Sequence, residues 1–578
     1  MRLPEAFFEE RRRHLLSWRR GPVFGEVRAD GALHITGPGV PDPLRVELGA
    51  DAVLFLPSRE AVAGFHLDGT LLTVLEHRLD GSRHQWTAQL TGAGGWIVLD
   101  ALEGIGERGE TCVVLTLQDE QGGLVLQQVC EEGSVQSYVP LTAGELVHWD
   151  LTCDAAVLRS ERGPRTPQLR LERPLTSEAC TTVTAHWHDG CDGSGALVDE
   201  DGLLCIWDLR TGELTPAVQP AGLIDDVRIL RDAPTRLFVV ATHHGTDAAY
   251  ICDKATGETW GVDGVSGGRL RIRAADGRGI GLYQFSTLEG SSWLWFGPGR
   301  LEYAAGDVGP HRGRASVAHR RLGDTPALVY LPQREPRAVV VSLHGGPESL
   351  ERDELRWDGL YRDLLAADIA VIGANYAGSL GYGAAHTRRG WRNWARAFAE
   401  DLAACREAAA AWGVGPERMA LLGGSFGGSL ALLGCTLDHR LAGAVASAPM
   451  IDVGRHAERA AAAEEAYASW FGERFELGDA REFTAARLAR TGAGQRVVVV
   501  HGDQDDVTDF RDSRVAVELA QERDLAWTLV AEEGTGHVPS SADRALARLL
   551  RVRAGLGHVL ETDVLGCDDG TSDAWTLG

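Results

Sequence analysis

Two domains in series are predicted for this chain: a seven-bladed β-propeller, then a mainly parallel α/β sheet with helices on both faces. Three observations predict them. A strand–turn–strand pattern echoes itself at an offset of 45 residues, apolar strands alternate with helices beyond residue 315, and a G-x-S-x-G lies at a strand-to-helix junction there. A length of 578 residues is too great for one core and fits two domains. The formal charge of −25 argues against nucleic acid or an anionic membrane surface as partner, because both would repel it. The ten cysteines form no C-x-x-C pair and no metal-like spacing with histidine, so they read as reduced core residues, and no metal or organic cofactor is expected. The charged N-terminus has no apolar h-region and no run of 18 apolar residues occurs, so a cytoplasmic protein without a spanning helix is expected.

In chain order, residues 1–20 are expected to hold one amphipathic helix (Pro4–Trp18, burying Phe7, Phe8, Leu15 and Leu16). Residues 21–310 are the propeller. Cys205–Glu213 (CIWDLRTGE) and Tyr250–Glu258 (YICDKATGE) give the echo, each a strand, a T-G-E turn and a return strand. Looser hairpins at Leu33–Leu48, Gln85–Leu99, Leu124–Val139, Gln168–Val183 and Trp293–Tyr303 complete seven, at the period of four-stranded blades. The histidine pairs His186/His188 and His243/His244 read as solvated or hydrogen-bonded rather than metal-bound. A Gly-rich linker, 304–314, closes the repeats. Residues 315–560 form the α/β domain, with strands at Ala327–Leu331, Ala338–Leu343, Ile369–Ala374, Met419–Leu422, Ala442–Ala446, Val497–Val500 and Thr528–Ala531. The clearest helix is Ala397–Trp412, with Phe398, Leu402, Cys405, Ala409 and Trp412 on one face. Residues 561–578 are an acidic, small-residue tail.

Chemistry-bearing residues follow the strands, at the carboxyl ends where ligands of such sheets bind. Gly423-Gly424-Ser425-Phe426-Gly427 follows Met419–Leu422, and its glycines leave room for a tight turn that pushes the serine hydroxyl clear of the backbone. His344-Gly345-Gly346-Pro347, His501-Gly502-Asp503-Gln504-Asp505-Asp506 and Glu532-Glu533-Gly534-Thr535-Gly536-His537 follow three others. Serine, acid, histidine is the chain order of an α/β-hydrolase triad, in which a carboxylate-held imidazole takes the serine proton. The assignment is Ser425 as nucleophile, His537 as base and then acid, and Asp505 as orienter, with Asp506 the alternative acid. The N–H groups of Phe426 and Gly346 would form the oxyanion hole.

These four motifs, with Asn375–Gly383 (NYAGSLGYG), resemble the signatures of the prolyl oligopeptidase family of serine peptidases, in its acylaminoacyl-peptidase and dipeptidyl-peptidase-like branch. The resemblance covers about residues 338–540. It implies the same triad, a seven-bladed propeller that restricts access to short peptides, packing of the Pro4–Trp18 helix on the C-terminal domain, and His344, Tyr376, Trp470, Phe471 and Val507 as substrate-binding positions. Departures are Ala377 where the family has arginine, Phe426 where tyrosine is commoner, and Val507 where a polar or basic residue often anchors a substrate carbonyl. The expected partner is a short peptide or acylated small molecule, and a homo-oligomer is compatible with the reading. The competing functions are an esterase, thioesterase or peptide cyclase using the same triad, and an inactive propeller that binds other proteins.

Overall fold

A computed structural model describes residues 13–562 apart from connecting segments, the longest of which are 37–43 and 160–166. Up to Val308 the described elements are strands. Residues 13–46, 52–89, 223–261 and 269–308 each form a four-stranded antiparallel sheet, and 97–216 form one of eleven strands. That larger sheet is three meanders, 97–138, 145–191 and 178–216, the last two sharing the 14-residue strand Glu178–Cys191. A single parallel pair, Asp150 with Ile105, joins the first two.

The echo has one physical cause. Asp208 Oδ1 accepts from the N–H groups of Arg210 (2.7 Å) and Thr211 (3.0 Å), and Gly212 follows at φ 77°. Asp253 Oδ1 accepts from Ala255 (2.9 Å) and Thr256 (3.4 Å), and Gly257 follows at φ 74°. The short acceptor nucleates the turn, and glycine takes the left-handed backbone that a Cβ would penalise.

Six of the seven expected hairpins are strand pairs, each joining the last two strands of its meander. Gln85–Leu99 is the exception. The chain leaves one sheet at Gln89 and enters the next at Ile97, and the hairpin of that meander pairs Leu71–Arg78 with Arg83–Gln89. Asp80 Oδ1 and Gly81 (φ 86°) make its turn.

Two other boundaries differ. Arg13–Ser17 is a strand paired with Val23–Val27, not the end of a helix, and 4–12 and Trp18 lie outside the described residues. An adjacent strand satisfies its backbone, and that tertiary partner outweighs a helix-like local pattern. The expected linker is strand as far as Val308, because the backbones of Ala304 and Ala305 pair with Leu294 and Trp293 of the neighbouring strand. The tail 563–578 also lies outside the described residues.

The C-terminal sheet has the order Ala315–Leu322, Thr325–Pro332, Ile369–Ala374, Ala338–Leu343, Met419–Gly424, Gly443–Ser447, Arg496–Gly502, Ala526–Glu532. The first two are antiparallel, and the six from Ile369–Ala374 onward pair in parallel. Ala315–Leu322 is not predicted by hydrophobicity, since His319, Arg320 and Arg321 leave it partly exposed. On one face Phe398, Leu402, Cys405 and Ala409 of the helix Trp394–Ala411 are buried; on the other, Leu360, Leu364, Leu365 and Leu556. The described helices include none long and apolar enough to cross a membrane. The eight described cysteines are free, and all but Cys153 are buried.

The domains meet along segment 351–354, which follows the His344–Pro347 turn. Asp353 N donates to Gly245 O at 2.8 Å, the Thr287 hydroxyl to Glu354 O at 2.9 Å, and Arg352 to Asp225 at 2.8 Å. Beside it, His244 stacks on His319 with centroids 4.1 Å apart, and His243 lies 3.8 Å from His244. Tyr382 and Arg321 are the other titratable groups nearby. Burial, then the neighbouring His244, His243 and Arg321, push His319 down to about 4, and burial and His243 lower His244. Both therefore bind protons more weakly folded than unfolded. Their contribution is complete above the unfolded value of 6.5 and is lost as pH falls from there towards 4. Thermal unfolding should show a fall in Tm over this window that His319→Gln reduces; an unchanged pH dependence in the variant would count against this linkage.

Candidate active site

Ser425 stands between the strand Met419–Gly424 and the helix Phe426–Leu437, at φ 53° and ψ −124°. A left-handed serine is strained, and the surroundings hold it there. Its N–H donates to Ser447 O at 2.8 Å. A Cβ on Gly423 would lie 2.2 Å from Gly427 O, and one on Gly427 would lie 2.2 Å from Leu343 O and 2.4 Å from His344 O. These glycines let the elbow press against the neighbouring strand end. A Cβ on Gly345 would come within 3.2 Å of the Ser425 Cβ, so the His344–Pro347 turn lies directly beside the serine.

The Phe426 ring is buried against Trp394 (5.0 Å), Phe475 (5.5 Å) and Phe483 (5.7 Å), which fixes the first N–H of the helix without needing a hydroxyl. Gly346 takes φ 134°, open to glycine and costly for other residues. His344 Nδ1 donates to Gly345 O at 2.7 Å, and its Nε2 is 2.6 Å from Ser379 Oγ. Burial, the dominant cause, pushes His344 down to about 4, so a neutral ring braces the turn.

Asp505 and His537 come together: Asp505 Oδ2 accepts from His537 Nδ1 at 2.8 Å. The Asp505 carboxylate is wholly buried. Oδ1 accepts from the N–H groups of Val507 (2.9 Å) and Thr508 (2.7 Å), and Oδ2 also from Thr508 Oγ1 (2.9 Å) and His501 Nε2 (3.1 Å). Burial alone would raise this carboxyl, but the bonds from His501, His537 and the Thr508 N–H hold it far below the usual carboxylate range. Asp506 is exposed, so it is Asp505 that meets the imidazole. The described hydrogen bonds of the His537 ring are to Asp505 and Thr508, and none joins Ser425 Oγ to His537 Nε2. Such contacts commonly tighten only with substrate bound.

Three supports escaped the sequence reading. Thr508 Oγ1 lies 3.2 Å from both His537 Nδ1 and Ala448 O, tying the acid loop to the segment that holds Ser425 N. Arg548, on the helix Ala542–Val559, donates to His537 O (2.6 Å), Gly536 O (2.9 Å) and Glu532 (2.5 Å), fixing the histidine loop. His501 belonged to a recognised motif but had no role. No local pattern marks Thr508 and Arg548, because Ala448, His537 and Glu532 lie 11 to 60 residues from them, and the His501 contact depends on which way the acid loop turns.

The five expected substrate positions divide. Val507 is 43% exposed beside Asp505, Trp470 is half-buried, and His344 flanks the serine. Tyr376 is 0% exposed, its hydroxyl donating to His344 O at 2.8 Å, and Phe471 is 3% exposed, stacked on Phe475 at 4.3 Å. Both support the wall from behind instead of facing a ligand, because an aromatic ring fills the apolar interior better than the rim.

Residues 360–558 match the Peptidase_S9 profile, described as the prolyl oligopeptidase family. Dipeptidyl aminopeptidase BIII of Pseudoxanthomonas mexicana is 34% identical over 102 residues, 18% of this chain and 14% of that protein's length. Over nearly the whole chain the fold is similar to that of a puromycin-hydrolyzing peptidase of Mycobacterium tuberculosis (TM-score 0.63, 17% identity, 94% of this chain and 93% of that one). It is also similar to an acylaminoacyl peptidase of Pyrococcus horikoshii (TM-score 0.69, 12% identity, 95% of each). The matched segment, residues 360–558, is what ties the C-terminal domain of this chain to the prolyl oligopeptidase family.

Proposed function

We propose that this protein hydrolyses peptide or acyl-amide bonds in short substrates through an acyl-enzyme on Ser425. The observation that carries the reading is the buried Asp505–His537 pair at 2.8 Å, at the same end of the sheet as a serine held at φ 53°. His537 Nε2 takes the Ser425 proton as Oγ attacks the carbonyl carbon, and Asp505 holds the opposite nitrogen and stabilises the imidazolium. The N–H groups of Phe426 and Gly346 receive the developing oxyanion. Collapse breaks the C–N bond, His537 returns the proton to the leaving amine, and water repeats the sequence on the acyl-enzyme.

The N-terminal half is, in this reading, a seven-bladed propeller that limits access. Seven four-stranded meanders support it, as does packing of the first strand, Arg13–Ser17, against Arg269–Asp276 of the last. Exposed, apolar Val507 at the acid loop favours an ester, thioester or cyclising role as the second reading, since its own side chain carries no charge to select a peptide terminus. A fluorophosphonate should label one serine, within peptide 419–435. Parallel assays on aminoacyl anilides, N-acyl-aminoacyl anilides and p-nitrophenyl esters should rank the substrate classes. Labelling elsewhere in the chain, or no turnover of any of the three, would sink the proposal.

A further inference from the structure

We propose that His501 is a positioning residue of this site, sharing Asp505 Oδ2 with His537 and so setting how strongly the carboxylate supports the general base. The inference rests on the triad assigned above. His501 ends the strand Arg496–Gly502 and is 0% exposed, with Phe510 edge-on at 5.7 Å. Its Nε2 lies 3.1 Å from Asp505 Oδ2 and 3.2 Å from Thr508 O. An ionised carboxylate and a carbonyl can only accept, so Nε2 carries a hydrogen. On the other edge Nδ1 lies 2.7 Å from Ser513 Oγ, on the helix Phe510–Gln521. In the neutral ring that hydroxyl donates to Nδ1 and fixes the tautomer.

Three donors therefore converge on one carboxylate oxygen: His501 Nε2, His537 Nδ1 and Thr508 Oγ1. Donors to one acceptor compete for its electron density, so the His501 bond tempers the pull of Asp505 on the His537 proton and fixes the oxygen's position. Without it the carboxylate binds His537 more tightly and raises the proton affinity of its imidazole. The groups that face this cluster are Thr508 and Asp505 from the acid loop, Ser513 from the helix behind, and His456 from the helix Val453–Ala463, which burial, Arg459 and His537 push down to about 4.

Gln and Asn separate the two nitrogens. A glutamine amide reaches the place of Nε2 and can still donate to Asp505; an asparagine amide reaches the place of Nδ1 and can bond only Ser513. The rate of Ser425 labelling by a fluorophosphonate, followed from pH 5 to 9 on the full chain, reads the effect without a known substrate. His501→Gln should stay within about 3-fold of the parent with its acid limb unmoved, whereas His501→Asn should label about 10-fold more slowly with its acid limb at higher pH. Equal behaviour of the two variants, or an acid limb unmoved in both, overturns the proposal. Should His501→Asn fail to fold, His501→Phe keeps a ring in the apolar pocket beside Phe510 but offers Asp505 no donor, and an acid limb that stays put in it overturns the proposal. Asp505→Asn separates the two levels of inference: normal labelling there sinks the triad assignment, while slow labelling there with normal labelling in His501→Asn sinks only the role of His501.

Discussion

Ser425→Ala should fold like the parent and lower kcat by about six powers of ten, and Asp505→Asn by about four, the scale seen when such triad members are removed. The two differ in what else they disturb. The Ser425 side chain makes no capping bond, and its backbone is held by Ser447 O and the helix that follows. Alanine at φ 53° loses the nucleophile and little else. Asparagine at 505 keeps the shape but puts an NH2 where a carboxylate oxygen accepted hydrogen bonds. In one orientation it faces the N–H groups of Val507 and Thr508, in the other His501, His537 and the Thr508 hydroxyl. Either way donors oppose donors, and the imidazole loses the acceptor that fixed its tautomer. Asp505→Asn should therefore also lower Tm, where Ser425→Ala does not. The lowered pKa of Asp505 gives the matching pH effect: stability present above the unfolded value of 3.8 is lost as pH falls below it. Full turnover by purified Ser425→Ala would refute the nucleophile assignment.

Buried parallel strands were the most legible part of the fold. Ala338–Leu343 and Ile369–Ala374 are buried on both faces, so an unbroken apolar run marks each from end to end. Ala315–Leu322 lies at the sheet edge with one neighbour, and its basic residues hide it. In the N-terminal half the asparagine-like turn chemistry of Asp208 and Asp253 was readable because it is local, whereas the start of each meander depends on which sheet the chain joins. That dependence misplaced Gln85–Leu99 and gave a helix where Arg13–Ser17 is a strand. The site follows the same division. Ser425, Asp505 and His537 stand in motifs whose glycines and strand ends are contiguous in sequence. Thr508, Arg548 and His501 act through contacts 11 to 60 residues away or through one shared oxygen, which spacing does not encode. Tyr376 and Phe471 show the converse: aromatic residues near the site in sequence turned out to brace it from inside.

Asp225→Ala should loosen the two domains, at a cost of about 3–5 kcal/mol, because it strips a buried acceptor from three arginines. Asp225 Oδ1 accepts from Arg352 (2.8 Å), and Oδ2 from Arg269 (2.9 Å) and Arg271 (2.6 Å). Burial alone would raise this carboxyl, but Arg352, Arg269 and Arg271 hold it below its ordinary value. Arg271 is 40% exposed and water screens it, so the loss falls on Arg269 (4% exposed) and Arg352 (13% exposed). Asp247 still pairs with Arg269 at 3.0 Å, but its Oδ1 is 3.9 Å from Arg352 and already takes the Thr242 hydroxyl at 2.6 Å, so it is a poor substitute. Arg352 belongs to the segment that continues from Gly346 and Pro347, so the same substitution frees the chain leading out of the proposed oxyanion turn. Two effects should appear together: a lower Tm with earlier proteolytic cutting between the domains, and a higher ratio of kcat/KM for long over short peptides. Asp225→Asn keeps an acceptor for Arg352 and should lie between. If Asp225→Ala keeps both the Tm and the size preference of the parent, this ion cluster does not hold the domains closed, and access to Ser425 is governed elsewhere.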